Sequence, residues 1–206
     1  MGLPNPSLLQ NYLHNLHHNN KSYKTLTFES DRIYYYDEDY GDNFEVMMGW
    51  EDPLMSASAA YVCQNGGDIL EIGFGMGISA GYIQSHSINS HTIVENHPDI
   101  IPKAQSWASR KPNVTIITGS WYDVKDNLST YDGLFYDTWG DDNMVNFSAS
   151  LSSLVKKGGV ATWWNNEPTA INFYNIPDVT YDSIPVNPPQ NNYFNNNTYF
   201  LPKKQF

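Results

Sequence analysis

The segment that most constrains the fold is Ile-Leu-Glu-Ile-Gly-Phe-Gly-Met-Gly at residues 69–77. Its first four residues are typical of a buried strand, and the three glycines predict a tight turn that leads directly into a helix. A strand, a glycine-rich turn and a helix N-terminus allow backbone N–H groups to approach a ligand closely. The segment therefore favours an α/β fold with a nucleoside-type ligand at the turn, and a ligand-free strand–helix turn is the alternative.

Strand-like and helix-like segments alternate on both sides of this turn. Such alternation predicts a parallel sheet with helices on both faces. The last two strand-like segments are joined by a Pro/Asn-rich loop, which predicts an antiparallel hairpin at the sheet edge. The predicted strands are 68–72, 91–95, 114–118, 132–136, 159–164, 179–184 and 198–203, and the predicted helices are 53–65, 77–85, 98–109 and 143–154.

The sequence predicts one main domain at residues 46–206 and an N-terminal lid or appendage at residues 1–45. Within the appendage we expect a short helix at 7–18, a hairpin at 25–36 and an acidic loop at 37–43. The histidines at 14, 17 and 18 would share one helix face, but no carboxylate or cysteine cluster accompanies them. No metal site is predicted.

The formal net charge of −11 disfavours nucleic acid as a partner, because an acidic surface repels a phosphate backbone. The single cysteine, Cys63, cannot form an internal disulfide, which suits a reducing compartment. No apolar run approaches the roughly 18 residues of a membrane span, and the N-terminus does not have the pattern of a signal peptide. We expect a cytoplasmic protein without membrane contact, as a monomer or homodimer.

Three groups of residues follow the ends of predicted strands, where open α/β sheets bind their ligands. The glycine turn follows the first strand, Glu95 ends the second, and Ser120-Trp121 follows the third. A carboxylate at Glu95 can accept hydrogen bonds from both ribose hydroxyls of a nucleoside. The ring of Trp121 could lie against an adenine.

The residues around the turn argue against a ligand that carries phosphate. The glycine spacing is not the G-x-G-x-x-G of dinucleotide sites, and no Lys-Ser/Thr pair follows the glycines. Glu71 would repel a pyrophosphate but suit a positively charged amino group. S-adenosylmethionine carries an adenosine, an amino group and a sulfonium without phosphate, so it is the cofactor that the constellation predicts.

Six segments over residues 43–165 resemble, in this order, the guanidinoacetate N-methyltransferase family of class I S-adenosylmethionine-dependent enzymes. The more specific part is the pair Trp-Glu-x-Pro-x-Met and Tyr-Asp-Thr-aromatic. The segments are NFEVMMGWEDPLM at 43–55, LEIGFGMGI at 70–78, IVEN at 93–96, GSWYDV at 119–124, DGLFYDTW at 132–139 and KKGGVATWWN at 156–165.

The resemblance implies a class I methyltransferase fold with a seven-stranded mixed sheet in which one C-terminal strand is antiparallel. It also implies that Glu51 and Asp137 bind the substrate guanidinium. Together with the strand-end pattern, it places around the cofactor Met55, Glu71, Gly73, Phe74, Gly75, Met76, Gly77, Ile78, Glu95, Asn96, Ser120, Trp121 and Asp137. It places near the substrate Met47, Asn166 and Glu167. Trp139 stands where the family has a tyrosine, and the segment after Asn165 is shorter than the helix that the family carries there.

Two carboxylates suit a guanidinium because each can accept a pair of N–H hydrogen bonds. With a pKa of about 12.5–13.8 and delocalised lone pairs, a guanidinium is a poor nucleophile that needs a base near the transferred methyl group. We predict Asp137 as this base, Glu51 as the anchor, and cation–π contact from Trp50 and Trp139. The alternatives are a helix N-terminal role for Glu51 and a capping role for Asp137.

The predicted function is methyl transfer from S-adenosylmethionine to a nitrogen of a small guanidino compound such as guanidinoacetate, the reaction of creatine biosynthesis. One alternative is N-methylation of another small amine or of arginine in a protein. The other is a protein that binds the cofactor without turnover.

Overall fold

The computed structural model describes residues 23–141, 143, 146–165 and 174–206. The strands are β1 (Thr27–Phe28), β2 (Arg32–Asp37), β3 (Asp42–Met48), β4 (Asp68–Ile72), β5 (Ser90–Glu95), β6 (Val114–Thr118), β7 (Tyr131–Tyr136), β8 (Val155–Trp163), β9 (Thr180–Pro185) and β10 (Thr198–Gln205). The helices are α1 (Asp52–Val62), α2 (Ile78–Gln84), α3 (Ile101–Ala108), α4 (Trp121–Val124) and α5 (Phe147–Leu154), with 3₁₀ turns at Gly49–Glu51 and Lys125–Asn127. The predicted helix at 7–18 and the predicted site residues Asn166 and Glu167 lie outside the described residues.

Seven strands form one sheet in the order β6-β5-β4-β7-β8-β10-β9. The strands from β4 to β8 pair in parallel, whereas β10 is antiparallel to both of its neighbours. The predicted fold class is therefore confirmed, including the single antiparallel strand near the C-terminus. The strand order reverses between β4 and β7, and a reversal of this kind is where open α/β sheets bind ligands.

Apolar side chains cover both faces of the central strand β4. Ile69 shares a buried cluster with Leu54 and Val62 of α1. Leu70 shares a second cluster with Leu151 of α5. A central strand that is buried on both faces explains the nearly continuous apolar run at the start of the glycine segment.

The N-terminal residues form a small antiparallel sheet, β1-β2-β3, instead of the predicted two-stranded hairpin. The predicted acidic loop is mostly a tight turn, and β3 begins at Asp42 and continues to Met48. Leu26 and Tyr35 of this region share a cluster with Phe74 of the glycine turn. The domain boundary predicted between residues 45 and 46 falls within β3, and the small sheet packs against the glycine turn.

Strand β8 begins at Val155, before the glycine pair that the prediction placed at its start. Its register with β7 shifts between the pairs Tyr131↔Val155 and Gly133↔Val160. Gly158 has a φ of 83°, which marks a bulge in the strand.

Among the described residues, no helix is long and apolar enough to cross a membrane.

Candidate active site

The glycine turn between β4 and α2 lies at the point where the strand order reverses. Gly73, Gly75 and Gly77 have φ values of 96°, 53° and 75°, a region that residues with a Cβ rarely adopt. A Cβ at Gly73 would collide with the carbonyl oxygen of Asp137. The glycine thus allows the chain after β7 to lie directly against the turn, which brings Asp137 beside the predicted cofactor site.

Glu95 at the end of β5 is held beside the same turn by backbone N–H groups. Its Oε2 accepts a hydrogen bond from the N–H of Phe74 at 2.9 Å. Its Oε1 accepts hydrogen bonds from the N–H groups of Asn96 and His97, both at 2.8 Å. Three backbone hydrogen bonds therefore fix Glu95 at the end of β5, beside the glycine turn. Its contact with a ribose stays a prediction.

The first described residues pass over this edge of the sheet. The rings of Tyr23 and His97 meet edge-to-face with 5.1 Å between their centroids, and His97 Nε2 lies 3.0 Å from the carbonyl oxygen of Lys24. Partial burial, followed by the charges of Glu95 and Asp123, raises the pKa of Tyr23. This segment therefore contacts the loop after β5, and its role as a lid stays a prediction.

The structure corrects the predicted direct contact between Glu71 and a cofactor amino group. Glu71 is fully buried, Ser79 donates a hydrogen bond to its Oε1, and His91 Nε2 lies 2.8 Å from its Oε2. Both carboxylate oxygens therefore have protein partners. Glu71 stabilises α2 and β5 behind the turn.

The structure also corrects the predicted role of Trp121 as an open surface for adenine. Its side chain is 2% exposed, and its Nε1–H donates a hydrogen bond to Asp141 Oδ2 at 2.5 Å. The hydroxyl of Tyr136 donates to the same oxygen at 2.8 Å, and the N–H of Asn143 donates to Oδ1 at 2.8 Å. Asp141, which the sequence analysis missed, thus ties α4 to β7. Ser120 is half-buried at the N-cap of α4.

Replacing Asp141 by alanine should lower the free energy of unfolding by about 3 kcal/mol, because two buried donors on Trp121 and Tyr136 lose their acceptor. Urea denaturation measures this change. Asp126→Ala is the control, because the side chain of Asp126 is 88% exposed and should contribute little. Equal midpoints for the two variants would contradict the assigned role of Asp141.

Glu51 ends the 3₁₀ turn before α1 and is 3% exposed. Its Oε1 accepts hydrogen bonds from the N–H of Met48 at 2.9 Å and from the hydroxyl of Tyr193 at 2.6 Å. Burial, followed by the negative charge of Asp137, raises the pKa of Glu51 to about 8. The charge of Asp137 acts on Glu51, so these two predicted residues lie near each other.

Asp137 follows β7 and is partly buried, and its N–H donates to the carbonyl of Ile72 at 2.9 Å. Burial, followed by the negative charge of Glu71, raises the pKa of Asp137 to about 7. Among the described residues, no lysine or arginine contributes an opposing shift to Asp137 or Glu51. Once ionised, the pair is a negative site that no described lysine or arginine balances, and it favours a cationic occupant.

Aromatic side chains form a wall beside Glu51. The ring of Trp50 stacks on Phe194 at 5.5 Å and lies 6.0 Å from Tyr193. Trp164 lies 6.0 Å from Tyr193 and 5.2 Å from Tyr199. Tyr193 and Phe194 belong to the loop between β9 and β10, and the sequence analysis assigned that loop no role. The only signal was a pair of aromatic residues within an asparagine-rich stretch.

Three other predicted site residues, Met47, Met55 and Trp139, each contact a different part of the structure. Met47 Sδ lies 3.2 Å from the backbone nitrogen of Met76 and covers the glycine turn. Met55 is 1% exposed within the core. Trp139 packs edge-to-face on Tyr35 of β2 at 5.1 Å, which connects the strand end after β7 to the N-terminal sheet.

The strand order, the glycine turn and the carboxylate at the end of β5 define the class I methyltransferase fold. Spermidine synthase from Thermotoga maritima has a TM-score of 0.59 and 12% identity, over 88% of this chain and 72% of that chain. A precorrin-6y C5,15-methyltransferase from Geobacter metallireducens has a TM-score of 0.57 and 13% identity, over 74% of this chain and 87% of that chain. At such identities the likeness shows the fold alone.

The chain belongs to the guanidinoacetate N-methyltransferase family, whose sequence profile matches residues 40–169. The resemblance inferred from the six segments is thereby confirmed, and S-adenosylmethionine is the cofactor of this class. The residues present fit this cofactor, because the three glycines add no side chain of their own to the turn and Glu95 lies beside it.

Several relatives carry the name protein arginine N-methyltransferase 2, and two of them show the extent of the match. The protein of Aspergillus oryzae is 40% identical over 97 residues, which cover 46% of this chain and 22% of that protein. The protein of Yarrowia lipolytica is 34% identical over 106 residues, with the same coverage of 46% and 22%. The matched region thus spans less than a quarter of the length of these relatives.

Proposed function

We propose that this chain is an S-adenosylmethionine-dependent N-methyltransferase that methylates the guanidinium group of a small guanidino compound such as guanidinoacetate. The observation that carries the proposal is the carboxylate pair Glu51 and Asp137: Glu51 is buried, the charge of Asp137 acts on it, and the backbone of Asp137 lies against the glycine turn. Family membership and the fold support the reaction type.

A guanidinium matches this pair in charge and shape. It is a planar cation with N–H groups along its edges, and each carboxylate can accept two of them. Oε1 of Glu51 is held by Met48 and Tyr193, so the carboxylate has a defined direction. The aromatic wall around Trp50 adds cation–π contact for a cation in the pocket.

Bound S-adenosylmethionine would supply an electrophilic methyl group, and the turn at 73–77 with Glu95 would hold it. The remaining work belongs to the carboxylate pair. Glu51 anchors the guanidinium, and Asp137 orients one nitrogen and takes the proton that this nitrogen loses when its bond to carbon forms. A pKa of Asp137 near 7 suits a base that acts near neutral pH.

Affinity for a guanidino compound should rise with pH. In the free protein the raised pKa values of Glu51 and Asp137 keep a proton on the pair at neutral pH, and a guanidinium must displace it. Calorimetric titration with guanidinoacetate between pH 6 and 9 should show affinity that rises up to about 100-fold per pH unit below about 7, where both carboxyl groups must lose a proton. The rise should be about tenfold per unit between about 7 and 8, with a plateau above about 8. Affinity that does not change over this range would contradict a protonated pair.

The second candidate substrate is arginine within a protein. It is favoured by the name of the relatives, which match up to 46% of this chain. An arginine presents the same planar cation on a longer stem. Parallel methyl-transfer assays with guanidinoacetate and with an arginine-containing peptide distinguish the two candidates. The compound that is methylated at the lower concentration is the substrate. Methylation of a simple amine in preference to both would contradict a guanidinium site, and cofactor binding without any product would indicate a non-catalytic protein.

A further inference from the structure

The loop at residues 186–197, between β9 and β10, folds around the side chain of Asn191. Its Oδ1 accepts hydrogen bonds from the N–H groups of Tyr193 and Phe194 at 2.9 and 2.7 Å. Its Nδ2 donates to the carbonyl groups of Pro189 and Phe194 at 2.9 and 2.7 Å. One side chain thus satisfies four backbone groups, which gives a polar, proline-containing loop a defined conformation.

Contacts outside the loop fix its position. Phe194 is 2% exposed and stacks on Trp50. Asn192 Nδ2 donates to the carbonyl of Asn43 in β3 at 3.3 Å, so the loop also touches the N-terminal sheet. These anchors determine where the intervening residue, Tyr193, points.

The hydroxyl of Tyr193 is directed at Glu51. It donates to Oε1 at 2.6 Å, and the same oxygen also accepts the N–H of Met48. Among the described residues, the hydrogen bonds to this carboxylate all go to Oε1. Within the described part of the chain, Oε2 therefore remains for an occupant near Asp137, whose charge acts on Glu51.

We propose that Tyr193 is a positioning residue for acceptor binding: its hydroxyl orients the Glu51 carboxylate so that Oε2 faces the acceptor, and the loop folded around Asn191 holds Tyr193 in place. This inference rests on the proposed guanidinium site. It extends that site to a residue outside the segments that carry the family resemblance.

The hydrogen bond has an electrostatic consequence that can be measured. Hydrogen bonds to a carboxylate stabilise its charged form, and the bond from Tyr193 opposes the effect of burial on the pKa of Glu51. Removing the hydroxyl should raise this pKa further, so that a higher pH is needed to ionise Glu51. The defect should therefore be larger at neutral pH than at alkaline pH.

Tyr193→Phe is the test, because it keeps the ring between Trp50 and Trp164 and removes only the hydroxyl. We expect the KM for guanidinoacetate to rise about tenfold at pH 7, with kcat changed less than about threefold. The pH midpoint of acceptor binding should move upward by about half a unit to one unit. Cofactor affinity should not change.

Tyr181→Phe is the matched control. Tyr181 lies in β9, and its buried hydroxyl has no hydrogen-bond partner among the described residues, so its loss should leave KM and the pH midpoint unchanged. Asn191→Ala should reproduce the upward shift of the midpoint, because it releases Tyr193. An unchanged KM and midpoint in Tyr193→Phe, with a wild type that binds guanidinoacetate, would overturn this inference alone. A wild type that binds neither guanidinoacetate nor an arginine peptide would overturn the proposed function and this inference with it.

Discussion

Asp137→Asn is expected to slow methyl transfer about 10³-fold, within the range for loss of a positioned general base. Asparagine has nearly the same shape but cannot accept the proton, and its amide N–H groups would face those of the guanidinium. Transfer of a labelled methyl group to guanidinoacetate at pH 8, under saturating cofactor, measures the loss. Asp126→Asn is the control, because its carboxylate is 88% exposed.

The same substitution should raise the stability of the ligand-free protein. Because the pKa of Asp137 is raised on folding, the folded state holds a proton that the unfolded chain has released between about pH 4 and 7. Stability contributed at this position therefore falls as pH rises through that window, and a neutral asparagine avoids the loss. Thermal unfolding at pH 8 should show a higher Tm for Asp137→Asn.

In the methyl-transfer assay, a rate for Asp137→Asn within tenfold of the wild-type rate would show that Asp137 is not the base.

Gly73→Ala is expected to lower the free energy of unfolding by about 3 kcal/mol or more and to abolish cofactor binding. The φ of 96° is strained for alanine, and the new methyl group would meet the Asp137 carbonyl. The backbone has little freedom to move away. The N–H of Gly73 donates to Val94 at 2.9 Å, and that of Asp137 donates to Ile72 at 2.9 Å. Urea denaturation and calorimetry with S-adenosylmethionine measure the two effects.

Gly81→Ala is the matched control for this prediction. Gly81 lies within α2, and a Cβ there would meet nothing within 4 Å. Alanine in a helix interior is better than glycine by about 0.5–1 kcal/mol, so this variant should be slightly more stable than wild type. Wild-type stability of Gly73→Ala would contradict the close approach of Asp137 to the turn.

Local pattern was sufficient for the parallel part of the fold. The central strands are apolar runs between turn residues, and the glycines at 73–77 mark the strand–helix junction directly. The sequence pattern failed at β3. Acidic residues near Asp42 are typical of a loop, but here they pair with β2 in a sheet that packs on the glycine turn. It also failed at β8, where a glycine pair lies in a bulge and not at the strand start.

At the site, sequence could predict positions but not the partners of each side chain. Alternation along β4 places Glu71 on the same face as Ile69, and this signal could have indicated a buried carboxylate. The burial of Trp121 depends on Asp141, which comes from a distant loop. Tyr193 reaches Glu51 from 142 positions away, a contact that only folding creates.

The most direct test is calorimetric titration of guanidinoacetate into wild type, Glu51→Gln and Asp137→Asn at pH 9, with S-adenosylhomocysteine present to prevent turnover. An arginine-containing peptide is titrated in parallel. We expect the wild type to bind at least one of the two guanidino ligands and both variants to lose at least about 100-fold in affinity. Failure of the wild type to bind either ligand, or unchanged affinity in both variants, would contradict a guanidinium site formed by Glu51 and Asp137.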